Sequence, residues 1–241
     1  MIDASLFVRE CLGFAADERQ GELLRRSPRR CLLNCTRQWG KSTVTAAKAV
    51  HTAYFSRGSL TLVVSPSARQ SGEFLRKASD FLKRLGIAPR GDGDNEISLL
   101  LPNGSRIVGL PGREKTVRGF SSVALLLVDE AARAPEDLYL AVRPMVAVGG
   151  GAIWLMSTPN GRRGFFFEAW EKGGPDWVRI TVPATECPRI PATHLEEERA
   201  TMNERWFRQE YLCEFVEAEE SLFDYDMLDR SVYEDGEGLN L

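Results

Sequence analysis

Nine consecutive residues combine a flexible glycine, a lysine and hydroxyl side chains in the order that phosphate binding requires. The segment is Cys35-Thr36-Arg37-Gln38-Trp39-Gly40-Lys41-Ser42-Thr43. The usual phosphate-loop pattern is Gly, four free positions and then Gly-Lys-Ser or Gly-Lys-Thr. Cys35 replaces the first Gly, and Arg37 and Trp39 stand where small residues are expected. The segment therefore predicts nucleotide binding, although it matches the pattern incompletely.

The chemistry of this loop is concentrated in Gly40, Lys41 and Ser42. Gly40 lets the backbone approach a phosphate closely, Lys41 would reach the terminal phosphates, and the Ser42 hydroxyl would hold Mg²⁺. The loop precedes a predicted helix, whose unpaired N–H groups and positive dipole end attract phosphate oxygens. Chance also produces helices that begin with Gly-Lys-Ser, so the interpretation gains its force from a second motif.

Two carboxylates follow an apolar segment at Leu125–Val128. Asp129 and Glu130 would lie at the carboxyl end of a buried strand, where open α/β sheets bind ligands. We assign Asp129 to the metal and Glu130 to the attacking water, because phosphate-loop hydrolases place such acids in these roles. The alternative is a pair of acids at the start of a helix, where they would complement the helix dipole.

A third segment, Ser157-Thr158-Pro159-Asn160-Gly161, follows another predicted strand. Hydroxyl groups at a strand end can hydrogen-bond a γ-phosphate or nearby water and so report the state of the nucleotide. Pro-Asn-Gly is also ordinary turn chemistry, and the two interpretations are equally compatible with the pattern.

Several arginines could stabilise charge on a transferred phosphoryl group, and most of them must serve as surface ion pairs or DNA contacts. The candidates are Arg37, Arg113, Arg118, Arg143, Arg162 and Arg163. Arg118 is distinct because it precedes the strand that carries the acids. From there it could reach the nucleotide of a neighbouring subunit.

The pattern of apolar segments predicts an α/β fold with a mostly parallel central sheet, flanked by helices on both faces. Predicted strands cover residues 31–35, 60–65, 123–128, 152–157 and 178–182. Predicted helices cover residues 42–55, 68–85, 135–142 and 165–171, with one or two charged helices over 194–215. Pro102-Asn103-Gly104 indicates a small antiparallel hairpin between residues 97–101 and 105–110.

Composition favours one large domain and an intracellular location. The 241 residues contain no apolar run near 18 residues and no signal peptide. The five cysteines indicate neither a disulfide framework nor a zinc site. The net charge is −3, but residues 186–241 hold 16 acidic and 5 basic side chains, which leaves about +8 on residues 1–185. This asymmetry permits a polyanion-facing surface, although scattered solvated charges are an equal alternative.

Together, Arg37-Gln38-Trp39-Gly40-Lys41-Ser42, Arg118-Gly119, Val128-Asp129-Glu130-Ala131 and Ser157-Thr158-Pro159-Asn160-Gly161 resemble the large terminase subunit of tailed bacteriophages. The resemblance extends to Phe165-Phe166-Phe167 with Trp170, and to residues 206–215. It implies a P-loop NTPase of the additional-strand, catalytic-Glu type that uses ATP and Mg²⁺. The implied partners are double-stranded DNA, the portal protein, the small terminase subunit and further copies of the chain in a ring on the portal. The implied location is the host cytoplasm and, transiently, the procapsid portal, with no membrane partner.

The resemblance also implies residue roles. Residues Thr36, Arg37, Gln38, Trp39, Gly40, Lys41, Ser42 and Thr43 would form the nucleotide loop, with Ser42 and Asp129 as metal ligands. Glu130 would be catalytic, Arg118 would act in trans, and Arg37 would have a catalytic or phosphate-sensing role. Ser157, Thr158 and Pro159 match the coupling motif. Gln20 resembles an upstream glutamine that recognises adenine, although Arg19 stands where the family often has an aromatic residue.

The sequence predicts an ATPase domain over residues 1–215 and an acidic linker over 216–241. The family's nuclease would follow Phe215-Val216-Glu217, and too few residues remain to build its two-metal site. Nuclease activity is therefore not expected from this chain, which would be an ATPase fragment, a split gene product or a motor with a separate nuclease. Two alternatives stay open: a helicase-like translocase, and a non-hydrolysing assembly module ordered by nucleotide.

Overall fold

Two short helices precede the first strand, and the apolar patterns did not indicate either of them. A computed structural model describes residues 3–95, 97–112 and 119–217 of the chain. Helix α1 covers Ala4–Glu10 and α2 covers Glu18–Arg26. The N-terminus of α2 is a capping box, because the Asp17 carboxylate accepts from the backbone N–H of Gln20 while the Gln20 side chain accepts from that of Asp17.

Seven strands and six helices make up the rest of the described chain, close to the predicted boundaries. In chain order they are β1 (Arg30–Cys35), α3 (Lys41–Phe55), β2 (Leu60–Ser65), α4 (Ala68–Arg84), β3 (Ser98–Leu100), β4 (Arg106–Pro111), β5 (Val123–Asp129), α5 (Glu136–Val142), β6 (Ala152–Ser157), α6 (Gly164–Lys172), β7 (Val178–Val182), α7 (Ala192–Thr201) and α8 (Glu204–Glu210). The charged segment predicted over 194–215 is thus two helices. One-turn 3₁₀ helices cover Ala131–Arg133, Arg143–Val146 and Ala184–Glu186.

The seven strands form one sheet in the order β3-β4-β2-β5-β6-β1-β7. All neighbouring pairs are parallel except β3 and β4, which form the predicted antiparallel hairpin. The predicted fold class is confirmed. Strand β6 lies between β5 and β1, so that Asp129 pairs with Met156 and Asn34 pairs with Ser157. This order brings three motif-bearing strand ends to one edge of the sheet.

The sheet has an apolar core on each face, because successive side chains of a strand point to opposite sides. On β1, Leu33 belongs to the core formed with α1 to α4, whereas Leu32 belongs to the core formed with α5 and α6. Strands buried on both faces explain the continuous apolar runs in the sequence. Among the described residues, we find no helix with the length and apolar character needed to span a bilayer.

Candidate functional site

The phosphate-loop segment joins β1 to α3 through two left-handed backbone positions. Gln38 has φ +65° and Gly40 has φ +91°. A Cβ atom on Gly40 would lie 3.0 Å from the Gln20 Nε2 atom, so this position is both conformationally and sterically suited to glycine. The turn directs the first residues of α3 toward the carboxyl end of the sheet.

The Trp39 side chain faces away from solvent and forms part of the core beneath α1 to α4. Its backbone carbonyl accepts hydrogen bonds from Gln20 Nε2 at 2.7 Å and from Arg189 Nη1 at 2.9 Å. Within the described chain, its indole Nε1 atom is buried with no hydrogen-bond partner. The bulky residue in the loop therefore anchors the backbone instead of lining the phosphate site.

Gln20 lies behind the loop and is fully buried. Besides donating to Trp39, its side chain accepts through Oε1 from Asp17 N at 3.1 Å and from Arg189 Nη2 at 3.3 Å. Both ends of the amide are thus engaged by the protein. A direct contact with adenine would require these bonds to open, and the assignment of Gln20 to adenine stays a prediction.

The Lys41 ammonium is bound by carbonyl groups of its own loop. Its Nζ atom donates to Cys35 O at 2.7 Å and to Thr36 O at 3.1 Å. Thr36 is buried, and its hydroxyl donates to Glu210 O at 3.1 Å. Phosphate oxygens would be stronger partners for the ammonium than these neutral carbonyls, because hydrogen bonds between ionised groups are the strong ones.

A cavity of about 260 Å³ brings together most of the residues that the sequence assigned to phosphate and metal. It is lined by Arg37, Gln38, Gly40, Lys41, Ser42, Lys77, Asp129 and Glu130. Of the remaining loop residues, Thr36 and Trp39 point elsewhere and Thr43 is not in the lining. The sequence did not indicate Lys77, which lies on α4 in the middle of an amphipathic helix.

Asp129 is a buried carboxylate with little compensating charge. Burial and then the neighbouring charge of Glu130 raise its pKa to about 6, against opposing effects of Lys41, the Glu130 N–H and Lys77. A carboxylate in this condition is stabilised by a cation. Together with the Ser42 hydroxyl it supplies the hard oxygen ligands that Mg²⁺ prefers, so the residues fit such an ion.

Glu130 follows β5 in a left-handed conformation, with φ +51°. Its Oε2 atom lies 3.3 Å from Arg133 Nη1, which also donates to the Thr158 hydroxyl at 3.0 Å. Ser157 and Pro159 are buried beside Thr158, and within the described chain the Ser157 hydroxyl has no hydrogen-bond partner. The second and third motifs are therefore joined through Arg133, a residue that the sequence analysis did not assign.

A second cavity, of about 350 Å³, adjoins the first, because Arg37 and Gln38 line both. Its other walls come from the segment after β7 and from α7 and α8: Arg189, Ile190, Pro191, His194, Met202, Trp206, Glu210 and Tyr211. Trp206 is 54 % exposed. Aromatic and aliphatic walls with a few polar groups are typical of small-molecule sites.

The predicted arginines fall into three groups. Arg37 lines both cavities and pairs with Glu210 at 2.8 Å. Arg143, Arg162 and Arg163 line neither. Arg113 and Arg118 lie outside the described residues.

The sequence analysis did not predict Arg133 or Glu210. The Glu130-x-x-Arg133 spacing is that of an i,i+3 ion pair and could have indicated Arg133, whereas nothing in the local sequence distinguished Glu210.

Comparison with protein families supports the resemblance. Residues 32–230 match the family described as terminase large subunit, T4likevirus-type, N-terminal. The chain is 25 % identical over 261 aligned positions to the terminase large subunit of Thermus virus P23-45, which covers 93 % of this chain and 54 % of that protein. It is 24 % identical over 169 positions to that of Escherichia phage T5, with coverage of 68 % and 39 %. The chain thus spans about half, or less, of the length of these relatives.

Solved structures agree in fold. The ATPase domain of the Thermus phage P74-26 large terminase is similar with a TM-score of 0.80 at 22 % identity, covering 90 % of this chain and all of that one. The large terminase of a thermophilic bacteriophage in complex with ATP-γ-S is similar with a TM-score of 0.65 at 13 % identity, covering 89 % and 52 %. At these identities the likeness concerns the fold.

Proposed function

The chain belongs to the terminase large-subunit family, and on that premise we propose that it is the Mg²⁺-dependent ATPase domain of a phage DNA-packaging motor. The observation that carries the proposal is the 260 Å³ cavity, where Lys41 and Ser42 of one motif meet Asp129 and Glu130 of another. Basic, hydroxyl and acidic groups converge there at the carboxyl edge of a parallel sheet, where such folds bind nucleotides.

The first step is binding of the triphosphate by the loop. Lys41 exchanges its two backbone carbonyl partners for phosphate oxygens, and the N–H groups at the start of α3 donate to further phosphate oxygens. Ser42 and Asp129 would hold the metal, whose positive charge would offset the negative charge of the phosphate oxygens.

The second step is activation of water by Glu130. Its carboxylate lies at the wall of the same cavity and is half-buried, so it can orient a water molecule toward the terminal phosphate. Arg37, exposed at the cavity's rim, can turn from Glu210 toward the phosphate. Arg118 would complete charge stabilisation from a neighbouring subunit. The Ser157–Pro159 segment would then transmit the change, since Arg133 joins Thr158 to Glu130.

We place the base of the nucleotide in the 350 Å³ cavity. It adjoins the phosphate cavity and offers the aromatic surfaces of Trp206 and Tyr211 for stacking. The buried Gln20 would then act on the nucleotide by holding the loop backbone.

The larger assembly is part of the proposal. Copies of the chain would form a ring with the portal protein and the small terminase subunit and would move double-stranded DNA into a procapsid in the host cytoplasm. A trans arginine needs a neighbour, so the isolated chain is expected to be a monomer with weak turnover. A DNA-translocating ring is also what separates this proposal from a helicase-like enzyme, which would separate strands.

Phosphate release tests the proposal, with the full chain, Mg²⁺ and duplex DNA at high protein concentration. Lys41→Ala should lose binding of a fluorescent ATP analogue, because it removes the phosphate cation. Glu130→Ala should retain binding but lose at least about 10²-fold in turnover, the usual contribution of a positioned base. Arg208→Ala, on an exposed ion pair with Glu214, serves as the control that should change neither.

Two outcomes would overturn the proposal. Wild-type protein that binds the analogue but releases no phosphate at any concentration, with or without DNA, would be a non-hydrolysing assembly module. Turnover that survives Glu130→Ala unchanged would remove this carboxylate from the mechanism.

A further inference from the structure

Arg133 occupies the point where three separate segments of the chain meet. It ends the one-turn helix Ala131–Arg133, and its side chain is 28 % exposed. The guanidinium reaches Glu130 Oε2 at 3.3 Å, the Thr158 hydroxyl at 3.0 Å and Glu210 Oε1 at 2.9 Å. Weaker contacts join it to the backbone carbonyls of Thr158 and Pro159, at 3.4 and 3.5 Å.

Glu210 divides its carboxylate between two arginines. Its Oε1 atom pairs with Arg133, and its Oε2 atom accepts from Arg37 Nε at 2.8 Å. The Glu210 side chain is only 13 % exposed, whereas that of Arg37 is 70 % exposed. Since exposed ion pairs contribute little, Arg37 is the partner that can leave at small cost, and Arg133 is the one that stays.

The end of α8 is held against the same edge of the sheet by further bonds. Gln209, which is buried, accepts from Gly161 N at 3.0 Å through Oε1. Asn34 Nδ2 donates to Cys213 O at 2.8 Å. These bonds hold the backbone around Glu210 in place relative to the strand ends that carry the motifs. A displacement of the Glu210 carboxylate therefore changes its contact with Arg133.

We propose that Arg133 is a positioning residue that holds the Glu130 carboxylate in register with Thr158 and with Glu210 of α8. The inference rests on the proposed ATPase function. Arg37 leaves Glu210 when it turns to a phosphate, and Arg133 then remains the guanidinium partner of Glu210. The distances between Arg133 and the Glu130 carboxylate change as a result. Phosphate binding at the loop thus changes the contacts of Glu130, the residue that orients water.

An arginine is required because one planar guanidinium must serve several acceptors in fixed directions. A lysine has a single ammonium and cannot span Glu130, Thr158 and Glu210 together. Arg133→Lys keeps the positive charge but loses the planar arrangement of several N–H donors. This variant therefore distinguishes a positioning role from a role in charge balance.

The test compares kcat, KM and analogue affinity in the full chain. Arg133→Ala should lower kcat at least tenfold while KM and analogue affinity stay within threefold, and Arg133→Lys should restore less than a third of the loss. Arg208→Ala, which removes a paired arginine from α8 outside the network, should change no parameter more than twofold. Adding Glu210→Gln to Arg133→Ala should cost less kcat than Glu210→Gln does alone, because the two residues act through one contact.

A second measurement does not depend on hydrolysis. In nucleotide-free protein, Arg133→Ala should raise hydrogen exchange both in α8 and around residues 157–161, whereas Arg208→Ala should affect only the α8 end. If Arg133→Ala destabilises the fold too far for this, Glu210→Gln should give the same paired increase. Unchanged exchange at residues 157–161, or a wild-type kcat in Arg133→Ala, would overturn the inference. A wild-type chain without hydrolysis would instead refute the proposed function, and the exchange experiment would still decide the role of Arg133.

Discussion

Replacing Trp39 with the small residue that a phosphate loop usually carries should weaken the whole fold. The side chain is fully buried in the core formed with α1 to α4, although neighbouring residues of its loop line the 260 Å³ cavity. We therefore expect Trp39→Ala to be a core mutation in its effect. The exposed Trp206 offers a matched Trp→Ala control, because it is 54 % exposed.

The magnitude follows from burial and from one unpaired group. A buried Trp removes roughly 200 Å² from water, worth about 5 kcal/mol at about 25 cal/mol per Å². Its indole N–H is buried with no partner among the described residues, and deleting it recovers about 1–2 kcal/mol. Trp39→Ala should thus lower the free energy of unfolding by about 3–4 kcal/mol, within the usual range for such truncations. Trp39→Phe keeps much of the apolar volume and removes the N–H, so it should cost about 1 kcal/mol.

Urea unfolding followed by far-UV circular dichroism measures these differences without depending on indole fluorescence. The transition midpoint should fall in the order wild type, Trp39→Phe, Trp39→Ala, with the slope m unchanged. Trp206→Ala should remain within about 1 kcal/mol of the wild type, as is usual for exposed positions. A Trp39→Ala variant as mild as Trp206→Ala, or a Trp39→Phe variant as damaging as Trp39→Ala, would contradict a core role for this side chain.

Three further predictions concern a buried amine, the thiols and the base pocket. Burial lowers the pKa of Lys48 from 10.5 to about 8, so the free energy of unfolding falls as pH drops from 10.5 toward 8. Lys48→Met should therefore raise the free energy of unfolding by up to about 3 kcal/mol at pH 7 and by less at pH 10. Urea titration at the two pH values measures the difference. Cys11 is exposed and the other four cysteines are buried, so a thiol reagent should modify one group quickly in native protein and five in urea; several fast native thiols would contradict this burial. Trp206→Ala should raise KM for ATP at least fivefold with little change in stability, whereas a change of ATP-to-GTP preference in Gln20→Ala alone would move the base contact to Gln20.

The sheet and the meeting of the motif residues at the 260 Å³ cavity could be predicted, because their signals are continuous in sequence. Strands buried on both faces appear as unbroken apolar runs, as at residues 60–65 and 152–157, and the structure assigns the same bounds. Lys41, Ser42, Asp129 and Glu130 each sit directly at the end of such a strand or the start of the next helix. Their meeting at one cavity follows from the parallel order of the strands alone.

The two N-terminal helices were not predicted, although α5 and α6, which have the same lengths, were. Helix α1 has seven residues and α2 has nine. Their sequence signals are caps, at Asp3 and Asp17, rather than apolar patterns. The omission concerns the site as well, since Gln20 lies on α2 and donates to the loop carbonyl of Trp39, while its assignment to the adenine base stays a prediction.

Arg133 and Glu210 show a different limit. They lie 77 positions apart, and both lie against the segment that follows β6, where Arg133 donates to the Thr158 hydroxyl and Gln209, next to Glu210, accepts from Gly161 N. A motif records residues that one segment must present to a ligand, so spacing along the chain reveals it. Arg133 contacts two motifs, but its only partner in its own segment among the described residues is Glu130, at i,i+3. Its role is therefore visible only in the folded structure. Variants at Arg133 should for this reason alter the relation between binding and turnover while leaving each motif intact.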